Sequence, residues 1–153
     1  DKASHAYNNR RTARTEVMFG EGGQAYVYLC YGIHHLFNVV TNKADIPHAV
    51  LIRAGEIVIG EAMVMHRYRT NKMEHRFGKG PGNLSKALGI TTALTATSLQ
   101  SDTLFIANDG YRIVKKQIIA TPRIGVDYAG ADALLPYRFI VAGHPAVSGK
   151  KTF

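Results

Sequence analysis

Two β-prone runs joined at one glycine constrain the fold of this chain most strongly. Residues 24–41 contain "QAYVYLCY", then Gly32, then "IHHLFNVVT", and both runs are rich in aromatic and β-branched residues. This pattern predicts a β-hairpin. Because side chains alternate between the two faces of a strand, Tyr26 and Tyr28 share one face. Tyr31 lies beside the turn, so we expect it to project from the tip of the hairpin.

The rest of the chain alternates between short strand, helix and loop patterns. Strands are predicted over residues 48–57 and 137–143, and a strand, turn and strand over residues 102–115. Helices are predicted over residues 56–70 and 83–90, a looped arm over residues 1–24 and a basic loop over residues 71–83. We therefore expect a mixed α/β (α+β) fold. It is a single domain over residues 1–153, with a curved, largely antiparallel sheet, flanking short helices and a protruding hairpin.

The charge of the chain points to a polyanionic partner. Nineteen Lys and Arg residues against eleven Asp and Glu residues give a formal net charge of +8. The cations cluster at Arg10, Arg11 and Arg14 and again between residues 67 and 79. Clustered cations are typical of proteins that bind nucleic acids. The alternative interpretation is that the charge serves solubility alone.

The cysteine, hydropathy and histidine patterns limit the compartment and the cofactors. Cys30 is the single cysteine and lies in an apolar run, which fits a reducing, intracellular environment. No apolar stretch approaches the roughly eighteen residues of a membrane span, so we expect no membrane partner. The seven histidines include no His-Glu-x-x-His motif, and adjacent His34 and His35 point to opposite faces of a strand. We therefore expect no metal and no cofactor.

Three polar residues are candidates for a functional site. Arg53 is a lone cation within "AVLIRAG", and Asn38 interrupts the apolar run "LFNVV". A buried guanidinium or amide is costly without partners, so each needs hydrogen bonds within the fold or a water-lined cleft. His5 lies near the arginines of the arm. A site role and an exposed loop role are equally compatible with that position.

Several short motifs follow one another in a specific order. They are "ASHA" before the arginine-rich arm, "YVYLCYG", Asn38 seven residues beyond Tyr31, "VLIRA", "GPGNLSKALGI", "RIGVDYAG" and "YRFIVAG". Each motif is weak alone, but together they cover nearly the whole chain, which resembles the alkyladenine, or 3-methyladenine, DNA glycosylases. The resemblance implies that a monomeric enzyme hydrolyses the N-glycosidic bond of damaged purines in double-stranded DNA. Examples of such purines are 3-methyladenine, 7-methylguanine and hypoxanthine.

The resemblance also implies roles for individual residues. Such enzymes rotate the target nucleotide out of the duplex, and Tyr31 matches the side chain that intercalates in its place. Tyr28 would stack on the extruded base, and Asn38 would discriminate against the exocyclic amino group of guanine. The implied DNA contacts come from Arg10, Thr12, Arg14, Met18, Lys79, Gly80, Gly82 and Lys86. Asn83 departs from the family pattern because relatives often carry Lys there.

The implied catalytic residues hold the attacking water. His5 matches a residue that hydrogen-bonds this water and also borders the base pocket, Arg53 matches another polar member of the site, and the Val126 carbonyl is a further water ligand. The general base of the family is a glutamate just upstream of the position matched by Asp1, and none of the eleven acids in this chain matches it. Water needs a base within hydrogen-bond reach. We therefore expect the chain to be an N-terminally incomplete glycosylase that is inactive by itself.

Two alternatives from other classes stay open at this point. The first is a nucleic-acid-binding module that stacks bases on its tyrosines without chemistry. The sequence lacks the Lys/Arg-Gly-Phe/Tyr-Gly/Ala-Phe motif of an RNA-recognition domain, so such a module would not be of that type. The second is a protein that binds an acidic ligand other than nucleic acid.

Overall fold

The predicted hairpin forms the centre of the fold. The computed structural model describes residues 1–149. Strand β1, Ala25–Cys30, pairs antiparallel with β2, His34–Val40. Tyr26 lies opposite Asn38, and Cys30 lies opposite His34. These pairs confirm the hairpin that the sequence predicts.

The hairpin turn holds a tyrosine in a left-handed conformation. The Ile33 amide donates to the Cys30 carbonyl at 3.1 Å, which closes the turn. The φ angles of Tyr31 and Gly32 are 50° and 72°. Two successive positive φ angles are the signature of a type I′ turn, whose twist matches that of the flanking strands. The side chain of Tyr31 is 89% exposed, as expected for the tip.

The third strand is shorter than predicted. Strand β3 is Ala49–Leu51 and pairs antiparallel with β2. After the Ile52 amide donates to Phe37 O, the backbone leaves the sheet, and the Gly55 amide donates to Gly78 O at 3.1 Å. The prediction of a strand over residues 48–57 is therefore wrong beyond β3, because Gly55 pairs with another segment.

Two α-helices follow, and glycines set where they begin. Helix α1, Glu61–Tyr68, begins after Gly60, whose φ is 86°, so the predicted helix loses its first residues. Helix α2, Pro81–Leu88, has Gly80 as N-cap and a proline in its first turn, where the missing amide proton costs nothing. Val64, Phe77 and Ala87 form a buried cluster that packs the two helices together.

A second sheet replaces the predicted strands of residues 102–115. Strand β4, Ile118–Thr121, pairs antiparallel with β5, Arg138–Val141. Strand β5 was predicted, whereas β4 was not. Within the described part of the chain, residues 102–115 form only an isolated bridge between Gln100 and Phe105. Ile106 and Tyr111 in this segment are 59% and 79% exposed, so the apolar side chains of the pattern do not pack against a sheet. The fold is mixed α/β, as predicted, but it has two small antiparallel sheets instead of one.

The hairpin has a hydrophobic core on each of its faces. Tyr26 and Val40 pack with residues of the arm on one face. Val27 and Phe37 pack with Ile90 and later residues on the other. This division confirms that Tyr26 and Tyr28 share one face, since Tyr28 packs against the first cluster.

The N-terminal arm folds across that first face. It contains two short 3₁₀ helices, Tyr7–Asn9 and Glu16–Phe19, and Met18 and Phe19 are buried in the core. Its first residue is tied down by Arg123, whose Nη2 lies 2.8 Å from Asp1 Oδ1. The arm is therefore a packed element that delivers His5 to the tyrosines. No helix within residues 1–149 is long and apolar enough to span a membrane.

Candidate functional site

His5 lies over the tyrosine face of the hairpin. Its Nδ1 is 2.7 Å from Tyr26 Oη, and its ring meets the Tyr28 ring edge to face, with 4.5 Å between centroids. Arg14 Nη2 lies 3.0 Å from His5 Nε2. The same guanidinium nitrogen lies 3.3 Å from His5 Nδ1. Because a guanidinium can only donate, the ring nitrogen that receives its hydrogen bond must be unprotonated, and a neutral imidazole provides one such nitrogen in either tautomer.

The surroundings of His5 keep its ring neutral. Burial, and then the charge of Arg14, lower the pKa of His5 from 6.5 to about 4. A protonated ring would face the Arg14 cation at hydrogen-bond distance, which costs Coulomb energy. At neutral pH, His5 therefore acts as a fixed donor and acceptor of hydrogen bonds and carries no charge.

Tyr28 presents an aromatic face to a cation. The Arg14 guanidinium carbon lies 5.0 Å from the centre of the Tyr28 ring, within the range of a cation–π contact. Burial raises the pKa of Tyr28 to about 12, so its phenol stays protonated at neutral pH. The ring is therefore a neutral surface that can accept either a cation or a flat base.

A cavity of about 220 Å³ opens beside this cluster. Its lining combines cationic, hydroxyl and aromatic side chains. The lining residues are Lys2, Ala3, Ser4, His5, Arg10, Thr12, Arg14, Thr15 and Tyr128. Three cations and no carboxylate line the cavity among the described residues, so its chemistry suits an anion such as a phosphate. Four residues that the sequence analysis proposed for the site, His5, Arg10, Thr12 and Arg14, meet here.

Arg53 lies just beyond β3 and is half-buried. Burial, and then the charge of Arg138, lower the pKa of Arg53, while Tyr28 partly offsets that shift. Arg53 is therefore within electrostatic range of Tyr28. None of the ion pairs in residues 1–149 includes Arg53. Arg53 does not line the cavity, so its role in the site stays a prediction.

Asn38 satisfies part of its hydrogen-bonding capacity within the hairpin. It is 7% exposed. Its Nδ2 donates to Tyr26 O at 3.1 Å and to Leu36 O at 3.2 Å. Because both amide protons are committed to main-chain carbonyls, only Oδ1 can turn to a ligand.

The structure does not bring Val126 into the cavity lining. Its carbonyl accepts a hydrogen bond from the Ala129 amide at 2.9 Å, at the start of the 3₁₀ helix Asp127–Leu134. A carbonyl oxygen has two lone pairs, so one acceptor position remains. The neighbouring Tyr128, and not Val126, lines the cavity and is 72% exposed.

Apart from Met18, the remaining proposed DNA contacts lie on α2 or directly before it, at Lys79 and Gly80. Gly80 and Gly82 stand at the helix start, and exposed Lys86 has its Nζ 4.4 Å from the centre of the Tyr68 ring. Lys79 O accepts from Asn83 Nδ2 at 3.0 Å, so Asn83 helps to order this turn. Met18 is only 3% exposed. Its side chain packs in the core, so the DNA contact assigned to Met18 from the sequence stays a prediction that only its main chain could fulfil.

Tyr26 is a candidate site residue that was not predicted from the sequence. It is 2% exposed, as a packing residue would be, yet its hydroxyl fixes the ring of His5. Strand parity already placed Tyr26 beside Tyr28. The sequence did not predict how the arm packs, and it is this packing that brings His5 onto the same face, 21 residues away in the chain from Tyr26.

The candidate site thus combines an imidazole and a tyrosine ring in contact with a neighbouring cavity that three cations line. The family model described as Methylpurine-DNA glycosylase (MPG) matches residues 1–145. The chain is 48% identical over 158 residues to a "Putative 3-methyladenine DNA glycosylase" of Bacillus cereus strain G9842. This alignment covers 98% of the chain and 77% of the relative. Relatives with the same name from Bacillus thuringiensis strain Al Hakam and Bacillus anthracis strain A0248 match to the same extent. The chain belongs to the methylpurine-DNA glycosylase family. Its class is therefore that of hydrolases that act on N-glycosyl bonds, with DNA as the substrate.

Proposed function

We propose that the intact protein removes alkylated or deaminated purines from duplex DNA by base flipping and attack of an activated water. Candidate bases are 3-methyladenine, 7-methylguanine and hypoxanthine. The observation that carries the proposal is the position of His5 against Tyr28, because it combines a stacking surface with a hydrogen-bonding group. A base stacked on Tyr28 would lie beside a cationic cavity that suits the phosphates of its nucleotide.

Tyr31 is the wedge in this proposal. A base removed from the stack leaves a gap, and an aromatic side chain can fill it from the minor groove. Tyr31 suits that role because 89% of it is exposed and the turn directs it away from the core. The extrusion costs on the order of a few kcal/mol, which the wedge and the pocket together must offset.

The extruded base exchanges places with Arg14. In the free protein the Arg14 guanidinium covers the Tyr28 ring and occupies His5 Nε2. A DNA phosphate would draw Arg14 away and release both groups for the base and the water. Stacking on Tyr28 is then worth on the order of 1–3 kcal/mol. A positively charged alkylated purine recovers the cation–π contact that Arg14 gives up, whereas a neutral base does not.

The chemical step needs a base that removes a proton from water. The water oxygen attacks the sugar carbon C1′, the C1′–N bond breaks, and the purine leaves with the bonding electrons. His5 and the Val126 carbonyl would orient the water, and Arg53 would contribute positive charge nearby. The pKa of His5, lowered to about 4, makes this ring a poor proton acceptor at neutral pH. A carboxylate from a segment upstream of Asp1 is the proposed general base.

Single-turnover release of the base tests the proposal. The substrate is a duplex with one hypoxanthine or 3-methyladenine. Two proteins are compared: the chain that begins at Asp1, and a longer chain that also contains the residues encoded by the codons upstream of Asp1. We expect release only from the extended protein. Tight DNA binding without release from either protein would contradict the enzymatic function and favour a base-stacking module. Robust turnover by the chain from Asp1 alone would contradict the assignment of an upstream general base.

A further inference from the structure

The base of the hairpin turn touches the first turn of α2. His34 begins β2 and pairs with Cys30, so these two residues flank the loop that carries Tyr31. Helix α2 packs on β2. At Gly82, an added Cβ would lie 2.9 Å from His34 Nδ1, 3.0 Å from Cγ and 3.2 Å from Cβ. The imidazole therefore rests directly on the glycine backbone.

This contact requires glycine for reasons of space and not of backbone conformation. Gly82 lies within α2 and has no positive φ, so an L-residue would be acceptable there if His34 were absent. With His34 present, the obstruction includes the Cβ of the histidine, which cannot move without its strand. Gly82 and His34 thus form a matched pair in which one residue leaves room for the other.

The contact links two parts of the proposed DNA interface. Because Tyr31 is 89% exposed, packing on its own side chain does not fix its direction. The position of Tyr31 relative to the rest of the protein therefore depends on the turn and on the residues that pack against the Cys30–His34 pair. Helix α2 supports that pair through Gly82, and the same helix carries Lys86 and begins at the Gly80 N-cap. A shift at this contact would move the wedge relative to the proposed phosphate contacts.

We propose that His34 is a positioning residue that holds the Tyr31 wedge at a fixed offset from the start of α2, where the proposed DNA contacts Gly80 and Gly82 lie. This inference rests on the proposed function, since the wedge role of Tyr31 is part of it. His34 acts through the hairpin and not on the reacting atoms. Loss of its ring should therefore impair base extrusion while leaving contact with an undamaged duplex nearly unchanged.

A double-mutant cycle tests the contact itself. Gly82→Ala should lower the urea midpoint when His34 is present, because the added methyl group meets the imidazole. In the His34→Ala background the same change should lower the midpoint much less, because only the Cβ at 3.2 Å remains near the added methyl group and alanine favours a helix over glycine. A smaller effect in the His34→Ala background distinguishes direct packing from independent effects. Effects of Gly82→Ala that are equal in the two backgrounds would overturn the inference.

Base extrusion tests the functional consequence. The probe is a duplex with 2-aminopurine beside hypoxanthine, whose fluorescence rises when the neighbouring base leaves the stack. His34→Ala should lower the extrusion equilibrium about fivefold to tenfold, the range expected for loss of one packing pair. His34→Phe, which keeps a flat ring against Gly82, should restore it. His48→Ala is the matched control, since His48 is exposed and lies just before β3, away from the hairpin turn.

The outcomes separate this inference from the proposed function. Normal extrusion by His34→Ala, with a normal signal from the wild-type protein, would overturn the inference alone. Equal loss of extrusion and of binding to an undamaged duplex would also overturn it, because His34 would then be a general determinant of binding. No extrusion by the wild-type protein would overturn the proposed function and, with it, the role of His34.

Discussion

His5 Nδ1 lies 2.7 Å from the hydroxyl of Tyr26, a residue that is 2% exposed. This bond joins the folded arm to the hairpin and fixes the position of the imidazole ring. The same histidine ring meets the Tyr28 ring edge to face, with 4.5 Å between centroids. The orientation of the site thus depends on a residue that meets no substrate in the proposed reaction.

Tyr26→Phe should weaken the site more than the fold. The change removes one hydrogen bond, which typically contributes about 1 kcal/mol to stability, and retains the aromatic packing. We expect the single-turnover excision rate of the upstream-extended protein to fall about tenfold, because His5 is no longer held in one orientation. Excision kinetics and urea denaturation measure the two effects. Tyr111→Phe, at a tyrosine that is 79% exposed, is the control and should change neither quantity.

His5 should make stability depend on pH in the acidic range. Its pKa is about 4 in the folded protein, against 6.5 for an unperturbed histidine, so the unfolded chain binds more protons between these values. Stability therefore rises with pH across this window and is lost as pH falls from 6.5 towards 4. Partial solvent exposure of the ring limits the effect to on the order of 1 kcal/mol.

Urea denaturation at pH 5 and pH 7 measures this dependence. His5→Gln has no titrating ring, so the difference between the two pH values should shrink in this variant. A pH dependence that is identical in His5→Gln would show that other groups cause it.

The hairpin was predictable from sequence, whereas the site geometry was predictable only in part. Alternating residues on either side of Gly32 determine the pairing of neighbouring strands, because the strands are adjacent in the chain. The bond between His5 and Tyr26 spans 21 residues and depends on how the arm packs. The arm packs through Met18, whose burial no local pattern indicated. The family resemblance supplied His5 as a site residue, but not the partner that orients it.

The second sheet shows a different limit of sequence patterns. Strand β4 has only four residues, Ile118–Thr121, and its partner β5 comes 17 residues later. The stronger alternation in residues 102–115 remains unpaired apart from one bridge, since side chains such as Ile106 and Tyr111 face solvent. Local periodicity indicates which segments can form strands, while available partners decide which do.

The cations of the cavity should set the salt dependence of DNA binding. Each phosphate contact adds about 0.9 to the slope of log K against log salt concentration. Arg10→Ala and Arg14→Ala should therefore each reduce the magnitude of the slope by roughly 1. Arg11→Ala is the matched control, because Glu16 and Asp45 already pair with Arg11 in the same arm. Fluorescence anisotropy at several salt concentrations gives the slopes, and an equal change in all three variants would contradict a specific role for the cavity.

Tyr31 should show opposite effects on stability and on base extrusion. Its φ of 50° is a left-handed conformation that costs a residue with a Cβ about 1–2 kcal/mol. Tyr31→Asn and Tyr31→Gly relieve this cost, and little packing is lost because the side chain is 89% exposed. Both variants should therefore unfold at higher urea concentration than the wild-type protein.

The same variants lose the aromatic wedge. They should bind an undamaged duplex with nearly wild-type affinity and give little fluorescence from 2-aminopurine beside hypoxanthine. Tyr31→Phe keeps the ring and should retain most of the extrusion signal, which separates the wedge from the phenol hydroxyl. If Tyr31→Asn destabilised the fold, or lost undamaged-duplex binding as strongly as extrusion, Tyr31 would be a structural turn residue. A more stable protein that cannot hold a base outside the duplex would show that the turn keeps a strained residue for its function.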